Sequence, residues 1–264
     1  MPGVRWWGAA LLACALRADE CAALLASAQR AYQARGFDQA AAGFEQALKA
    51  CPQRGAILLA LGQSQLMARR MEAAVRTLLQ LVQLEPANVM ARKLLGDAQY
   101  LAGREGEAEE SLKGALAIDP KNEASLYALG RIYYQQSRYP DAVAQFEKVI
   151  AGDPGNYRAH DNLGLCFDAL HRDSEALRHF FKALDLVQKD HPEYDWAHAN
   201  LADFFLKRNE HEKAFQLAAE AARRNPESAR NFFLTGKALS KLNKEELAPR
   251  WLEQACNRKP RPQR

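Results

Sequence analysis

The sequence predicts an all-α fold, a right-handed α-solenoid of stacked antiparallel helical hairpins, and three observations predict it. Seven prolines, Pro52, Pro86, Pro120, Pro154, Pro192, Pro226 and Pro260, stand 34, 34, 34, 38, 34 and 34 residues apart. Small and large apolar residues hold fixed offsets from those prolines. Ala, Leu, Gln, Glu, Lys and Arg dominate while Val, Ile and Thr are sparse, so intrinsic propensity favours helix nearly throughout. A hairpin of this size cannot bury both of its faces, so neighbours must stack to hide the remainder.

The elements follow in order. Seven units run at about 21–54, 55–88, 89–122, 123–156, 157–194, 195–228 and 229–260, each an A helix, a turn and a B helix closed by its proline, which cannot continue a helix. Twenty-four residues before the proline comes Ala28, Gly62, Gly96, Gly130, Ala202 or Gly236. Twelve before it comes Ala40, Ala74, Ala108, Ala142, Ala214 or Ala248, and eight before it Phe44, Leu78, Leu112, Phe146, Ala218 or Leu252. The small positions let two antiparallel helices approach, and the large one fills the notch. The fifth unit keeps this spacing with Gly164, Ala176 and Phe180, but its proline arrives four residues late, which adds about one turn to its B helix. Pro140 and Pro249 fall in the first turns of B helices, where the missing N–H costs little. The last B helix is expected within EELAPRWLEQACNRK, showing Leu247 and Trp251 at an open end that could pair two copies of the chain. Residues 261–264 form a short basic tail.

The set Leu-Gly, Tyr or Phe, Ala, Phe, Ala, Pro resembles the tetratricopeptide repeat family over about residues 21–260. Locally DHPEYDWAHANLADFF resembles the longer repeats of kinesin light chains. The resemblance implies a non-catalytic scaffold that binds a protein or peptide, with A helices lining a concave groove and their second, fifth, sixth, ninth, twelfth and thirteenth positions pointing into it. Units four to seven place Tyr127, Arg131, Tyr134, Arg158, Asp161, Asn162, Trp196, Asn200, Asp203, Lys207, Phe233 and Lys237 at such positions, a mixture of guanidinium forks, amides and aromatic faces suited to an extended peptide. Arg230, Lys241 and Asp168 join them. Units one to three offer an apolar wall instead, with Leu59, Leu66, Met67, Met90, Leu94 and Leu101, suited to an amphipathic helix if exposed. Asn162 and Asn200 share the sixth position of successive units, where the resemblance implies hydrogen bonds to a ligand backbone, as in the sugar-transferring members. The carboxylate clamp of the chaperone-binding members is matched only in part, by Arg131, Asn162 and Asn200.

Composition excludes other classes. The formal charge of +4 falls to +2 without residues 1–18, which carry Arg5 and Arg17, too little to point to nucleic acid. No G-x-S-x-G elbow, P-loop, H-E-x-x-H or G-x-G-x-x-G occurs, so no enzyme, cofactor or small-molecule substrate is expected. The six histidines crowd into units five and six, but His160 and His198 hold equivalent positions about one helix-packing distance apart, roughly 10 Å, too far to share an ion. They read as packing and surface residues, with His171 and His211 at or near A-to-B turns.

Residues 1–18 read as a secretory signal, with Arg5 before the apolar run Trp6–Leu16 and a cleavage site near Ala18. Eleven apolar residues are too few to span a bilayer. The protein is thus expected in the periplasm or outside the cell. An alternative is a lipid-anchored envelope protein of pilus or outer-membrane assembly, since LLAC, Leu11 to Cys14, resembles a bacterial lipobox; membrane contact would then run through Cys14. Cys21 opens helix A and Cys51 closes helix B of the first unit. Antiparallel packing sets those ends side by side, where an exported protein would bridge them. Cys166 and Cys256 read as packing residues.

Overall fold

The computed structural model describes residues 4–190 and 194–258, with side chains described for 19–187 and 194–258. These residues form helices and no strand. The A and B helices alternate as α1 (Val4–Gln33), α2 (Phe37–Ala50), α3 (Arg54–Met67), α4 (Met71–Leu84), α5 (Val89–Leu101), α6 (Glu105–Ile118), α7 (Glu123–Gln135), α8 (Tyr139–Gly152), α9 (Tyr157–Ala169), α10 (Asp173–Asp190), α11 (Trp196–Lys207), α12 (His211–Arg224), α13 (Ala229–Lys241) and α14 (Ala248–Cys256). No helix among the described residues is long and apolar enough to cross a membrane. The side chains of residues 1–18, Cys14 among them, and the tail 261–264 lie outside the described residues.

The chain divides into two compact units, Met1–Ile132 and Tyr133–Arg264. In the first, each helix from α1 to α5 packs on its successor, and α3 also touches α5. In the second, each helix from α8 to α13 packs on the next, while α9 touches α11 and α11 touches α13. A-helix-to-A-helix contact of this kind forms one continuous face in the second unit, and the candidate site lies on it.

The fixed offsets become packing. Ala40, Ala74, Ala108, Ala142, Ala176 and Ala214 are fully buried on the B helices. A Cβ built on Gly62, Gly96, Gly164 or Gly236 would stand only 2.7, 2.8, 2.5 or 2.8 Å from Leu78, Leu112, Phe180 or Leu252. Where the notch closes to Ala202, the knob across from it shrinks to Ala218, and both are fully buried. The extra turn of the fifth unit lies in α10, which has 18 residues where α8 and α12 have 14.

The A-to-B turns repeat as strictly. Arg35, Arg69, Gly103, Ser137, His171, Asn209 and Asn243 all take left-handed φ values between 56° and 78°. In each turn the next residue donates its N–H to the carbonyl five positions back, as in Arg70 to Gln65 at 2.8 Å and Lys244 to Leu239 at 3.0 Å. This is the Schellman closure of a helix. Asn88, Asn122, Asn156 and Ser228 start α5, α7, α9 and α13 by accepting a bond from the backbone N–H three residues on, which satisfies an otherwise orphaned donor.

Cys21 and Cys51 are joined as a disulfide with Cα atoms 5.4 Å apart. Closing this loop of 30 residues contributes about 3 kcal/mol by restricting the unfolded chain.

At the C-terminal end the expectation for Cys256 needs correction. Helix α14 starts at Ala248 and holds Pro249 in its first turn, where the missing N–H costs little. The segment before it is a turn, which leaves Leu247 52% exposed. Cys256 is exposed and not packed, since it closes the last described helix. Trp251 is half-buried, its ring 5.2 Å from Phe232.

Candidate functional site

In the second unit, α9, α11 and α13 present equivalent positions side by side. Arg158, Trp196 and Arg230 form one row; Asn162 and Asn200 share another; Asp203 and Lys237 share a third; Lys207 and Lys241 share a fourth. These groups do not stand alike. Asp161 and Asn200 are buried at 2% and 3% exposure. The amide of Asn200 donates to Asp161 Oδ1 and Oδ2 at 3.0 and 2.9 Å, and Tyr194 donates its hydroxyl to Oδ2 at 2.9 Å. Arg230 Nη2 donates to Asn200 Oδ1 at 2.8 Å. Three successive A helices are therefore tied by one chain, buried at Asp161 and Asn200 and half-buried at Arg230. Burial lifts the Asp161 carboxyl to a pKa of about 6, against the pull of the Asn200 and Tyr194 donors.

A second polar rung joins α11 to α13 deeper in the unit, where Asn231 donates to Asp195 Oδ2 at 2.6 Å and to the Ala221 carbonyl at 2.9 Å. A third lies near the C-terminal ends of α9 and α11. Lys207 stands between Asp168 and Asp203 at 2.9 and 3.0 Å, and Arg208 bonds Asp168 at 2.9 Å as well as Asp173.

What faces outward is aromatic and cationic. Trp196 is 37% and Phe233 50% exposed. Arg158 and Lys237 are also exposed, while Asn162 is half-buried and donates to the Arg158 carbonyl at 2.8 Å. The Arg230 guanidinium lies 5.0 Å over the Trp196 ring, within the range of a cation–π attraction. Tyr134 is half-buried with its ring 5.6 Å from Tyr139.

Tyr127 and Arg131 belong to the first unit, both half-buried. Arg131 helps line a small cavity of about 40 Å³ with Asp97, Tyr100 and Ile132. Burial raises the Asp97 carboxyl there, opposed by its ion pair with Lys93 at 2.6 Å. Of the expected apolar wall, Met67, Met90 and Leu101 are exposed and Leu59, Leu66 and Leu94 half-buried. A wider depression of about 480 Å³ opens at the turns of the first two hairpins, between Arg35, Phe37 and Arg69. Of the expected groove positions it is lined by Met67 alone.

The matches to known families decide the lineage. Tetratricopeptide repeat profiles match residues 25–83, 99–147 and 127–191. The chain belongs to the tetratricopeptide repeat family. No curated protein matches it. Solved tetratricopeptide-type structures do. One from Parabacteroides merdae has a TM-score of 0.72 at 16% identity, over 90% of this chain and 100% of its own. PilW, described as a widely conserved type IV pilus biogenesis factor, has a TM-score of 0.69 at 20% identity, over 77% of this chain and 93% of its own. A MamA protein has a TM-score of 0.58 at 26% identity, over 64% of this chain and 92% of its own. Members of this repeat family fit a protein–protein interaction scaffold.

The family register also explains the histidines. His160 meets His179 across its own hairpin, not His198 in the next one, with Nδ1 atoms 3.0 Å apart. His160 Nε2 faces the Pro154 carbonyl at 3.2 Å, so it carries the proton there. Its Nδ1 then accepts from His179 Nδ1–H. Arg178 Nη2, which can only donate, faces His179 Nε2 at 3.5 Å, so both rings are neutral in this arrangement. In the sixth repeat Leu217 stands where His179 does, so His198 Nδ1 is buried without a partner. Among the described residues no three metal-ligating side chains cluster.

Burial holds His179 and His198 down at about 4 and also lowers His160. The unfolded chain takes up these protons near pH 6.5, whereas folded His179 and His198 take theirs up only near 4. Stability contributed by those two neutral rings is therefore complete above pH 6.5 and is lost as pH falls toward 4, and the lowered His160 contributes in the same direction. Urea unfolding at pH 7.5 and 4.5 is expected to show this loss, and His179→Leu, the residue of the sixth repeat, to reduce it. An unchanged acid limb would contradict the neutral pair.

Proposed function

We propose that the protein is a non-catalytic scaffold, exported to the bacterial envelope or beyond it, that holds a protein segment along the A-helix face of α9, α11 and α13. One observation carries the reading. Trp196 and Phe233 stand exposed on a face whose neighbouring amides and carboxylates are already bonded to one another. Exposed aromatic anchors beside cations are the groups that supply most binding energy at interfaces. Export is supported by the pattern of residues 1–18 and by the Cys21–Cys51 bridge, since disulfides persist in oxidising compartments.

Crosslinking capture from the native envelope, with wild type beside Trp196→Ala/Phe233→Ala, tests the reading. The double variant is expected to lose the partner while keeping its helical content. Full retention of the partner would remove this face from consideration.

The LLAC stretch favours a second reading, an assembly lipoprotein anchored through Cys14. Metabolic labelling with a fatty acid would mark that protein and leave Cys14→Ser unlabelled; a periplasmic scaffold takes up no label in either form.

A further inference from the structure

Helix α11 balances its own charge on this face. Asp203 and Lys207 pair four residues apart at 3.0 Å, and Asp168 of α9 closes on the same lysine at 2.9 Å. Helix α13 holds the equivalent positions with Lys237 and Lys241, so an opposite-charge pair becomes a like-charge pair. Like charges at this spacing repel each other along the helix. The position on α11 that answers to Asp168 is Leu206, so no acid reaches Lys241 from the neighbouring helix either. Both lysines are exposed and have no ion-pair partner among the described residues.

The same stripe continues toward the start of the helix. Phe233, 50% exposed, lies one turn before Lys237. Arg230 lies one turn before Phe233, and spacings of three and four residues set all four side chains on one face. Arg230 uses Nη2 on Asn200, but its Nη1 is shut from solvent with no acceptor. A buried donor left unmade is destabilising, because it has given up water without a replacement. A ligand oxygen that drew the guanidinium outward from Trp196 would recover that bond.

We infer that the stripe Arg230, Phe233, Lys237 and Lys241 receives an acidic peptide segment carrying an apolar side chain beside its carboxylates. The inference rests on the groove reading above and names its ligand class. Carboxylates relieve the repulsion between the lysines, the apolar side chain covers Phe233, and the Arg230 fork donates to a ligand carboxylate. A basic segment meets three cations there and is repelled.

The test uses the whole chain and two fluorescein-labelled peptides, Gly-Asp-Glu-Leu-Asp-Glu-Leu-Gly and its Asn/Gln counterpart, in anisotropy titrations at low salt. The acidic peptide is expected to bind at least about tenfold tighter than the amide one, and the difference to shrink in 0.5 M salt, where screening acts within about one ion-pair distance. Lys237→Glu/Lys241→Glu, both exposed and so compatible with folding, is expected to abolish the preference. Equal binding of the two peptides, or a preference that survives the double charge reversal, overturns the acidic class. Absence of binding by either peptide overturns it too. In these cases the Trp196→Ala/Phe233→Ala capture separates the two failures: loss of partner there keeps the groove, and retention removes both.

Discussion

Gly164→Ala is expected to destabilise the second unit by about 1–3 kcal/mol, as overpacking does, although alanine is the better helix former by up to about 1 kcal/mol. Its new Cβ would lie 2.5 Å from the Phe180 ring, which is fully buried and edge-on to Phe204 at 5.7 Å. To admit that Cβ, a ring already fully buried must shift. Phe180→Ala is expected to cost more, about 3–5 kcal/mol, through the cavity it leaves. The decisive comparison is the double variant, which reproduces the Ala202 and Ala218 pairing of the sixth repeat. Chemical unfolding should show the Gly164→Ala penalty vanish on the Phe180→Ala background. A Gly164→Ala protein more stable than wild type would mean that propensity, not the notch, governs the hairpin.

The largest polar effect is expected at Asn200. Asn200→Ala removes both amide bonds from the buried Asp161 carboxylate and the acceptor from Arg230. Breaking one partner of a buried charged set costs about 3 kcal/mol or more. Asp161 also titrates. Its folded pKa of about 6 lies above the unfolded value of 3.8, so the stability it contributes is complete below pH 3.8 and lost as pH rises through 6. Asp161→Asn, which keeps an acceptor for Tyr194 and Asn200, is therefore expected to be more stable than wild type at pH 8, by about 1–2 kcal/mol. The Asn200→Ala penalty is expected to shrink at pH 5, where a protonated Asp161 no longer needs the amide. Unfolding free energies of the two variants at pH 8 and 5, each referred to wild type, cancel the histidine contribution. A penalty for Asn200→Ala that grows on acidification would contradict the buried chain.

Most of the architecture was legible because a period of 34 residues writes each packing rule several times over. Proline spacing located the units, Gly and Ala offsets located the notches, and the four late residues located the longer α10. The left-handed turn position was less legible, since Arg69 and Arg35 give no glycine signal and only their equivalence with Gly103 and Asn209 reveals it. Sequence register lines up the A-helix positions of successive repeats, but does not reveal which of those side chains are already engaged. Asp161 and Asn200 both occupy inward positions by sequence, yet each satisfies the other across adjacent helices. Tyr194, just before α11, adds its hydroxyl to the same carboxylate. The His160–His179 pair lay within reach of the same register, because Gly164 and Phe180 already fix which residues oppose one another in that hairpin. The bare stripe on α13 emerges only after the ion pairs of α11 are known, because Lys207, Lys237 and Lys241 look alike in sequence.

The central claim is that a partner lies against the A-helix face of the second unit and not against its outer helices. Phe233 on α13 and Phe181 on α10 are matched controls, at 50% and 51% exposure. A photo-crosslinking phenylalanine analogue placed at each position in turn, and irradiated in the native cells, compares the two faces directly. The account predicts a discrete protein adduct from position 233 and none from 181. Adducts from 181 alone, or equally from both, would contradict it.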